Sequence, residues 1–262
     1  MEDGESVPVP LAVRTSDLKL RTLSAIVMLA VAGGALWYHV GSWQLFVVVV
    51  AGVCFAEFCR LLWLGFPMFW QRALGVVLGA PYVFIAASRL IELRQRNVTE
   101  DPLIFSDFVT TRVLLSDVFG IYCVISVLGV VVATDVGAYF AGRTFGGPKI
   151  APAISPSKTW AGLCGGMIAA AIWGIAATFI LADVLDWRQA FTVAQLPLAA
   201  ASGAILAVVA QSGDFLESWL KRKAGVKDSS NLIPAHGGVF DRVDGVLPVV
   251  IIAGLLPFGP FL

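Results

Sequence analysis

Three carboxylates, a hydroxyl and an ammonium mark where chemistry is concentrated in this 262-residue sequence. In the run QSGDFLESWLKRKAGVKDSSNLIPAHGGVFDRVDG, residues 211–245, Asp214, Ser218 and Lys221 stand at i, i+4 and i+7. If the preceding apolar run stays helical past Gly213, that spacing puts all three on one face. Asp241 and Asp244 are three apart at the start of the next apolar run and share a face by the same rule. Where both helices end on one side of a membrane, Asp214 can approach Asp241 and Asp244. Convergent carboxylates without histidine or thiolate support favour a hard cation such as Mg²⁺ over zinc. Lys221, Arg222 and Lys227 surround them. Metal and cations together are what a nucleoside triphosphate needs, because they neutralise phosphate charge during transfer. His236-Gly237-Gly238 supplies backbone that a ligand can approach without side-chain obstruction. Neither a Walker A sequence nor a strand-borne GxGxxG unit is present, which excludes a standard nucleotide-binding fold.

A second stretch, AYFAGRTFGGPKIAPAISPSKTWAG at residues 138–162, cannot be one helix, because Gly142, Gly146, Gly147, Pro148, Pro152 and Pro156 interrupt it. Ser155, Ser157 and Thr159 precede the next apolar run, and one of them can cap its helix, leaving backbone amides free for an anion. Arg143, Lys149 and Lys158 bring positive charge to the same place. The competing reading is a basic loop that only orients the protein. Asp135, late in the preceding apolar run, needs a partner or a wet cavity, and so either caps a neighbouring helix or belongs to a polar site. Glu57 and Arg60, three apart, are expected to form a local ion pair at the membrane interface. Glu217 reads as a solvated charge.

The elements that position these groups follow from composition. The chain is 58% hydrophobic and 14% charged, with a mean hydropathy of +0.85, against about 25% charged residues in a soluble domain. It is a polytopic membrane protein by these values. Net charge is zero, so no basic field argues for a nucleic-acid partner. Cys54, Cys59, Cys123 and Cys164 sit in apolar runs without metal-site spacing and read as packing residues. With His39 and His236 the only histidines, a histidine-rich metal centre is excluded. The N-terminus lacks the basic region of a secretory signal, and no cleavage is expected.

Apolar runs near 22–40, 43–64, 72–91, 118–142, 160–182, 193–213 and 245–262 are measured against the roughly 20 residues that cross a bilayer. The expectation is an all-α fold of about seven transmembrane helices, within a range of six to nine, since membrane-spanning backbone must satisfy itself. The linker Val40–Ser42 makes the first two spans a tight hairpin. A polar tail (1–21), N-terminal spans (22–142) and a catalytic membrane region (143–262) divide the chain. With a cytoplasmic N-terminus, Arg14, Lys19, Arg21, Arg60, Arg72, Arg143, Lys149, Lys158, Lys221, Arg222, Lys223, Lys227 and Arg242 lie inside. Arg89, Arg94, Arg96, Arg112 and Arg188 lie outside, and thirteen against five supports that orientation. Arg14, Lys19 and Arg21 would then meet lipid headgroups. Loops 143–159 and 214–244 fall on the same cytoplasmic side. The sequon Asn97-Val98-Thr99 in the opposite loop reads as coincidental.

From Ser218 to Asp244 the chain follows S-x-x-K-R-x4-K-D…P-x-H-G-G-x-x-D-R-x-D at every fixed position over 27 residues: Ser218, Lys221, Arg222, Lys227, Asp228, Pro234, His236, Gly237, Gly238, Asp241, Arg242 and Asp244. This resembles the signature of the CDP-diacylglycerol synthases, or phosphatidate cytidylyltransferases. The block Asp135, Ala138-Tyr139, Gly142-Arg143, Pro152, Ser155-Pro156 and Lys158-Thr159-Trp160 is similar to that family as well. Where the family has Glu, this chain has Ala161, so that glutamate's role does not carry over. The resemblance implies formation of CDP-diacylglycerol and pyrophosphate from CTP and phosphatidate, for phospholipid synthesis in a bacterial inner membrane. It also implies a two-metal site, with Mg²⁺ as one ion, shared by Asp214 and Asp241 with Asp244 beside them. Ser218 and Lys221 would line the substrate, and a homodimer is the assembly it suggests.

Two other classes compete. Asp241-Arg-Val-Asp244-Gly245 resembles the opening of the CDP-alcohol phosphotransferase motif, but the chain continues Val-Leu-Pro-Val without the later carboxylates. A CTP-dependent lipid kinase is a further enzyme alternative. A transporter or silent scaffold would use intramembrane acids for ion coupling, whereas these acids gather at one surface.

Overall fold

The computed structural model describes residues 11–96, 109–184, 193, 195–233 and 236–255, with side chains described from residue 21 onward outside 109–117 and 184. Bilayer-length apolar segments close their hydrogen bonds internally as helices. The elements are α1 (Leu11–Tyr38), α2 (Val40–Gly65), α3 (Phe69–Gln95), α4 (Val109–Phe145), β1 (Lys149–Ala151), β2 (Ser155–Thr159), α5 (Trp160–Val184), α6 (Gln195–Ala224), α7 (Phe240–Val243) and α8 (Val246–Leu255). Among the described residues six helices are long and apolar enough to cross a membrane. The architecture is an all-α polytopic membrane bundle with a small hairpin. Side chains such as Leu29, Trp37, Val132 and Ile168 stay exposed on its outside, as an apolar solvent permits.

Several boundaries differ from the sequence expectation. Helix α1 begins at Leu11, inside the segment expected as a polar tail. The headgroup role given to Arg14 and Lys19, the sequon at 97–99 and the rest of that outer loop from 97 to 108 lie outside the described residues or side chains, as does the end of the seventh apolar run after Leu255. His39 alone separates α1 from α2. It caps α2 by accepting from the Gly41 amide at 3.0 Å, while its own amide donates to Ser42 Oγ at 3.1 Å.

Helix α4 packs most extensively on α5, and α5 on α6. Small residues permit this: a Cβ at Gly165 would lie 2.2 Å from Ala141 Cβ and 2.7 Å from the Gly137 carbonyl. Val124, Val127, Val130, Leu181 and Leu206 are buried among these helices. Cys54 and Cys123 are buried in the bundle, whereas Cys164 is exposed on α5 rather than packed.

Two corrections bear on the site. First, the loop at 143–159 carries secondary structure: after Phe145 the chain turns through Gly146 and Gly147, and β1 pairs antiparallel with β2 in the register Lys149↔Thr159 and Ala151↔Ser155. Second, 214–244 is not one loop, because α6 runs on to Ala224. The condition for Asp214, Ser218 and Lys221 to share a face is met. The remaining connection, 225–239, leads into the single turn of α7. Gly213 lets α7 and α8 approach α6, since a Cβ there would lie 2.1 Å from the Asp244 carbonyl.

Candidate active site

The end of α6, the β1–β2 hairpin, the end of α4 and the α7 turn meet at one end of the bundle. Lys158 on β2 is ion-paired with Asp214 on α6, and Arg222 donates from Nε to the Ile154 carbonyl at 3.4 Å. The two unusual stretches therefore do lie on the same side. Thr159 caps α5, its Oγ1 accepting from the Gly162 amide at 3.0 Å. Of the three hydroxyls weighed for that role, Ser155 instead is buried beside Ser157 at 3.5 Å.

Between α4, β2, the start of α5 and α6 lies a cavity of about 450 Å³. Asp135, Arg143, Lys158, Thr159 and Asp214 line it together with Tyr139, Ser157 and Gln211. Asp135 is thus part of a polar site and not a remote helix cap. Arg143 Nη1 donates to the Tyr139 hydroxyl at 2.8 Å, which holds a cation at the rim. Gln211 is 6% exposed, and among the described residues its Oε1 has no hydrogen-bond partner. Nothing in the sequence marked Gln211 except its place one turn before Asp214. The cavity joins positive and negative groups over a floor of Ala138, Gly142 and Gly162, which leaves room for a ligand.

Asp241 sits in a different setting. Its carboxylate accepts from Lys221 Nζ at 2.8 Å, Ser229 N and Oγ at 2.9 Å each, and Gly238 N at 2.7 Å. Burial opposes its charge, but side-chain bonds with Glu217 and Lys221 and the Gly238 and Ser229 amides outweigh that and hold it far below the usual carboxylate range. Glu217, expected as a solvated charge, is 2% exposed and pairs with Lys221 at 2.6 Å. Asp244 shifts the opposite way: burial, then the neighbouring charge of Asp214, push it up to about 7.

Other signature residues scaffold the loop. Arg242 donates from Nε and Nη2 to the His236 carbonyl at 3.2 and 2.7 Å. The His236 ring meets Ser24 Oγ of α1 at 2.8 Å. Gly237, at φ +85, and Gly238 let the chain wrap round Asp241. Lys227 and Asp228 are exposed and, like Ser218, Arg222, His236 and Arg242, do not line the 450 Å³ cavity. The ion pair expected between Glu57 and Arg60 is replaced by longer reaches: Arg60 donates to the Ser229 carbonyl, and the Glu57 carboxylate meets Ser229, Ser230, Val239 and Phe240. The sequence displayed both charges but not their partners.

Among the described residues no three or more His, Cys, Asp or Glu side chains are gathered so as to hold a metal ion. The expected convergence of three aspartates is divided, with Lys158 on Asp214 and Lys221 on Asp241. The donor chemistry still fits a hard divalent ion at Asp214 and Asp244, whose mutual repulsion a cation would relieve. Asp241 fits less well, because its oxygens are already committed to protein donors.

The sequence profile of the Cytidylyltransferase family matches residues 66–257. A protein named phosphatidate cytidylyltransferase from Brucella suis biovar 1 (strain 1330) is 44% identical over 129 residues, 49% of this chain and 44% of the relative. One from Haemophilus influenzae is 33% identical over 219 residues, 76% of this chain and 69% of the relative. One from Pseudomonas aeruginosa is 40% identical over 134 residues, 51% of this chain and 46% of the relative. The matching part of this chain thus spans under half the length of the Brucella and Pseudomonas relatives.

Proposed function

This chain belongs to the Cytidylyltransferase family, and from that premise we propose that it is a CTP:phosphatidate cytidylyltransferase forming CDP-diacylglycerol and pyrophosphate for phospholipid synthesis. The observation that carries the reading is the 450 Å³ cavity at the end of a membrane bundle, lined by Arg143 and Lys158 on one hand and Asp135 and Asp214 on the other. A water-soluble triphosphate and a lipid phosphate must meet where headgroups meet water. Cationic groups hold both anions there, and carboxylates supply ligands for the accompanying cation.

In the proposed reaction an oxygen of the phosphatidate phosphate attacks the α-phosphorus of CTP. A new P–O bond forms, the bond from the α-phosphorus to the bridging oxygen breaks, and pyrophosphate leaves with the electron pair. Lys158 exchanges Asp214 for a phosphate oxygen, and Arg143 with the capped start of α5 receives the second anion. Lys221, fixed between Glu217 and Asp241, keeps its charge and points the loop's carboxylate. Asp214 and Asp244 are the side chains that would hold Mg²⁺, and Asp241, held by Lys221, Ser229 and Gly238, frames the loop beside them. Bound there, the ion would neutralise phosphate charge and stabilise the departing pyrophosphate. Positioning and charge stabilisation, not covalent catalysis, supply the rate.

The inside-outside bias of basic residues supports a cytoplasmic site and N-terminus in a bacterial inner membrane, and a homodimer is the assembly proposed. The test is purified protein in detergent or liposomes with CTP, Mg²⁺ and phosphatidate, followed for pyrophosphate and a cytidylylated lipid. Wild-type protein that yields neither across varied lipids and divalent ions overturns the assignment.

A further inference from the structure

We propose that Glu57 of α2 is a positioning residue: its buried carboxylate clamps residues 229–240 so that Asp241 and Lys221 are held in register. Glu57 is 6% exposed within an apolar span, where a carboxylate is costly unless donors surround it. Glu57 accepts from Ser230 Oγ, Val239 N at 3.2 Å and Phe240 N at 2.7 Å, and the Ser229 hydroxyl, whose single proton lies between Glu57 and Asp241, is 3.2 Å away. One turn on, Arg60 donates to the Ser229 carbonyl. Between them Phe58 meets the Phe240 ring edge-on at 6.0 Å. Glu57 and Arg60 on one helix face, with Phe58 beside them, therefore grip one loop at both ends.

The grip reaches Asp241 through Ser229. That hydroxyl lies within hydrogen-bond distance of both Glu57 and Asp241, and Ser229 is fully buried. There is no slack in the arrangement: a Cβ on Gly238 would lie 2.0 Å from Ser229 Oγ and 2.6 Å from Glu57 Oε2. Glu57 and Arg60 also precede residues 66–257, which the family profile matches. Helix α2 supplies from outside that region the contact that orders its signature loop.

The word positioning rests on the function proposed above, but the clamp has its own readout. Trypsin cleavage at exposed Lys227 in the full-length detergent-solubilised protein reports loop freedom without any turnover. Glu57→Gln keeps one acceptor oxygen and Glu57→Ala keeps none, so cleavage at Lys227 rises about tenfold in Ala and by less in Gln. Turnover falls in the same order, about tenfold or more in Ala, while KM for CTP stays within about threefold, because alignment is lost and not binding. Ser230→Ala, which removes one donor, gives the smallest change. Lys227 cleavage and kcat within about twofold of wild type in both Glu57 variants overturn the clamp. So does cleavage spread over the whole chain with kcat per folded molecule unchanged, which marks a merely structural charge. If wild type makes no product, cleavage alone decides the clamp, and only the enzymatic reading fails.

Discussion

Asp214 and Asp241 belong to one signature region yet occupy opposite environments. Asp214 borders an open cavity, pairs with a single lysine and lies near Gln211, whose Oε1 has no partner among the described residues. Asp241 is saturated by Lys221, Ser229 and Gly238 and enclosed by the loop that Glu57 grips. The difference separates a carboxylate bordering room for a ligand from one whose oxygens the protein itself fills, although Glu217 Oε1 beside that second carboxylate also has no partner among the described residues. An unmet polar group is tolerated where a ligand completes it, and a filled one makes a rigid support.

The comparison breaks most severely at its two carboxylates. Asp214→Asn removes charge from the open face, and turnover is expected to fall by about a thousandfold or more with unchanged expression and unfolding midpoint. Asp241→Asn is expected to lower turnover by about a hundredfold or more and, unlike Asp214→Asn, to free the loop to trypsin at Lys227. Equal protease resistance in both variants would erase the distinction.

Gln211→Leu sharpens the contrast at the next level. Because the Gln211 Oε1 acceptor is buried without a partner among the described residues, its loss leaves stability unchanged or raised, while turnover falls about tenfold if a substrate group completes it. A destabilised Gln211→Leu protein with normal kcat/KM would instead make Gln211 part of the frame.

The smallest effect is on pH. Asp244 is pushed up to about 7 from 3.8, so the fold favours its neutral form. Its contribution to stability is therefore full below about pH 4 and lost as pH rises through about 7. In Mg²⁺-free buffer the unfolding midpoint should decline between those values, and Asp244→Asn should flatten the decline. Asp241 has the reverse sign, contributing above its unfolded value and losing that contribution only in strong acid. An unchanged midpoint from pH 5 to 8 in wild type would remove Asp244 from the charged pair.

Much of the frame was legible beforehand because its cause is local. Six of the seven apolar runs are bilayer-length helices among the described residues, the seventh being described only as the ten-residue α8, and the interval from Asp214 to Lys221 gave their common face once α6 continued to Ala224. A hydroxyl cap on α5 and a partner or wet cavity for Asp135 also followed from neighbouring sequence, while the choice of Thr159 among three hydroxyls, and of the polar cavity over a helix cap for Asp135, came from the structure. Glu57 and Glu217 were misread for one reason. Spacing to Arg60 or placement in a charged run describes only near neighbours, while their burial depends on distant segments.

What the sequence determined by itself is the solvent, the helices and the chemical inventory. Apolar length forces internal hydrogen bonding in lipid, and the signature's carboxylates, lysines and glycines are visible as residue types. Tertiary structure alone decided the partners. Lys158 meets Asp214 across 56 positions, and Glu57 meets Ser229 across 172. Those pairings arise from close helix packing and from the exclusion of water around charge, neither of which is encoded within a single turn of helix.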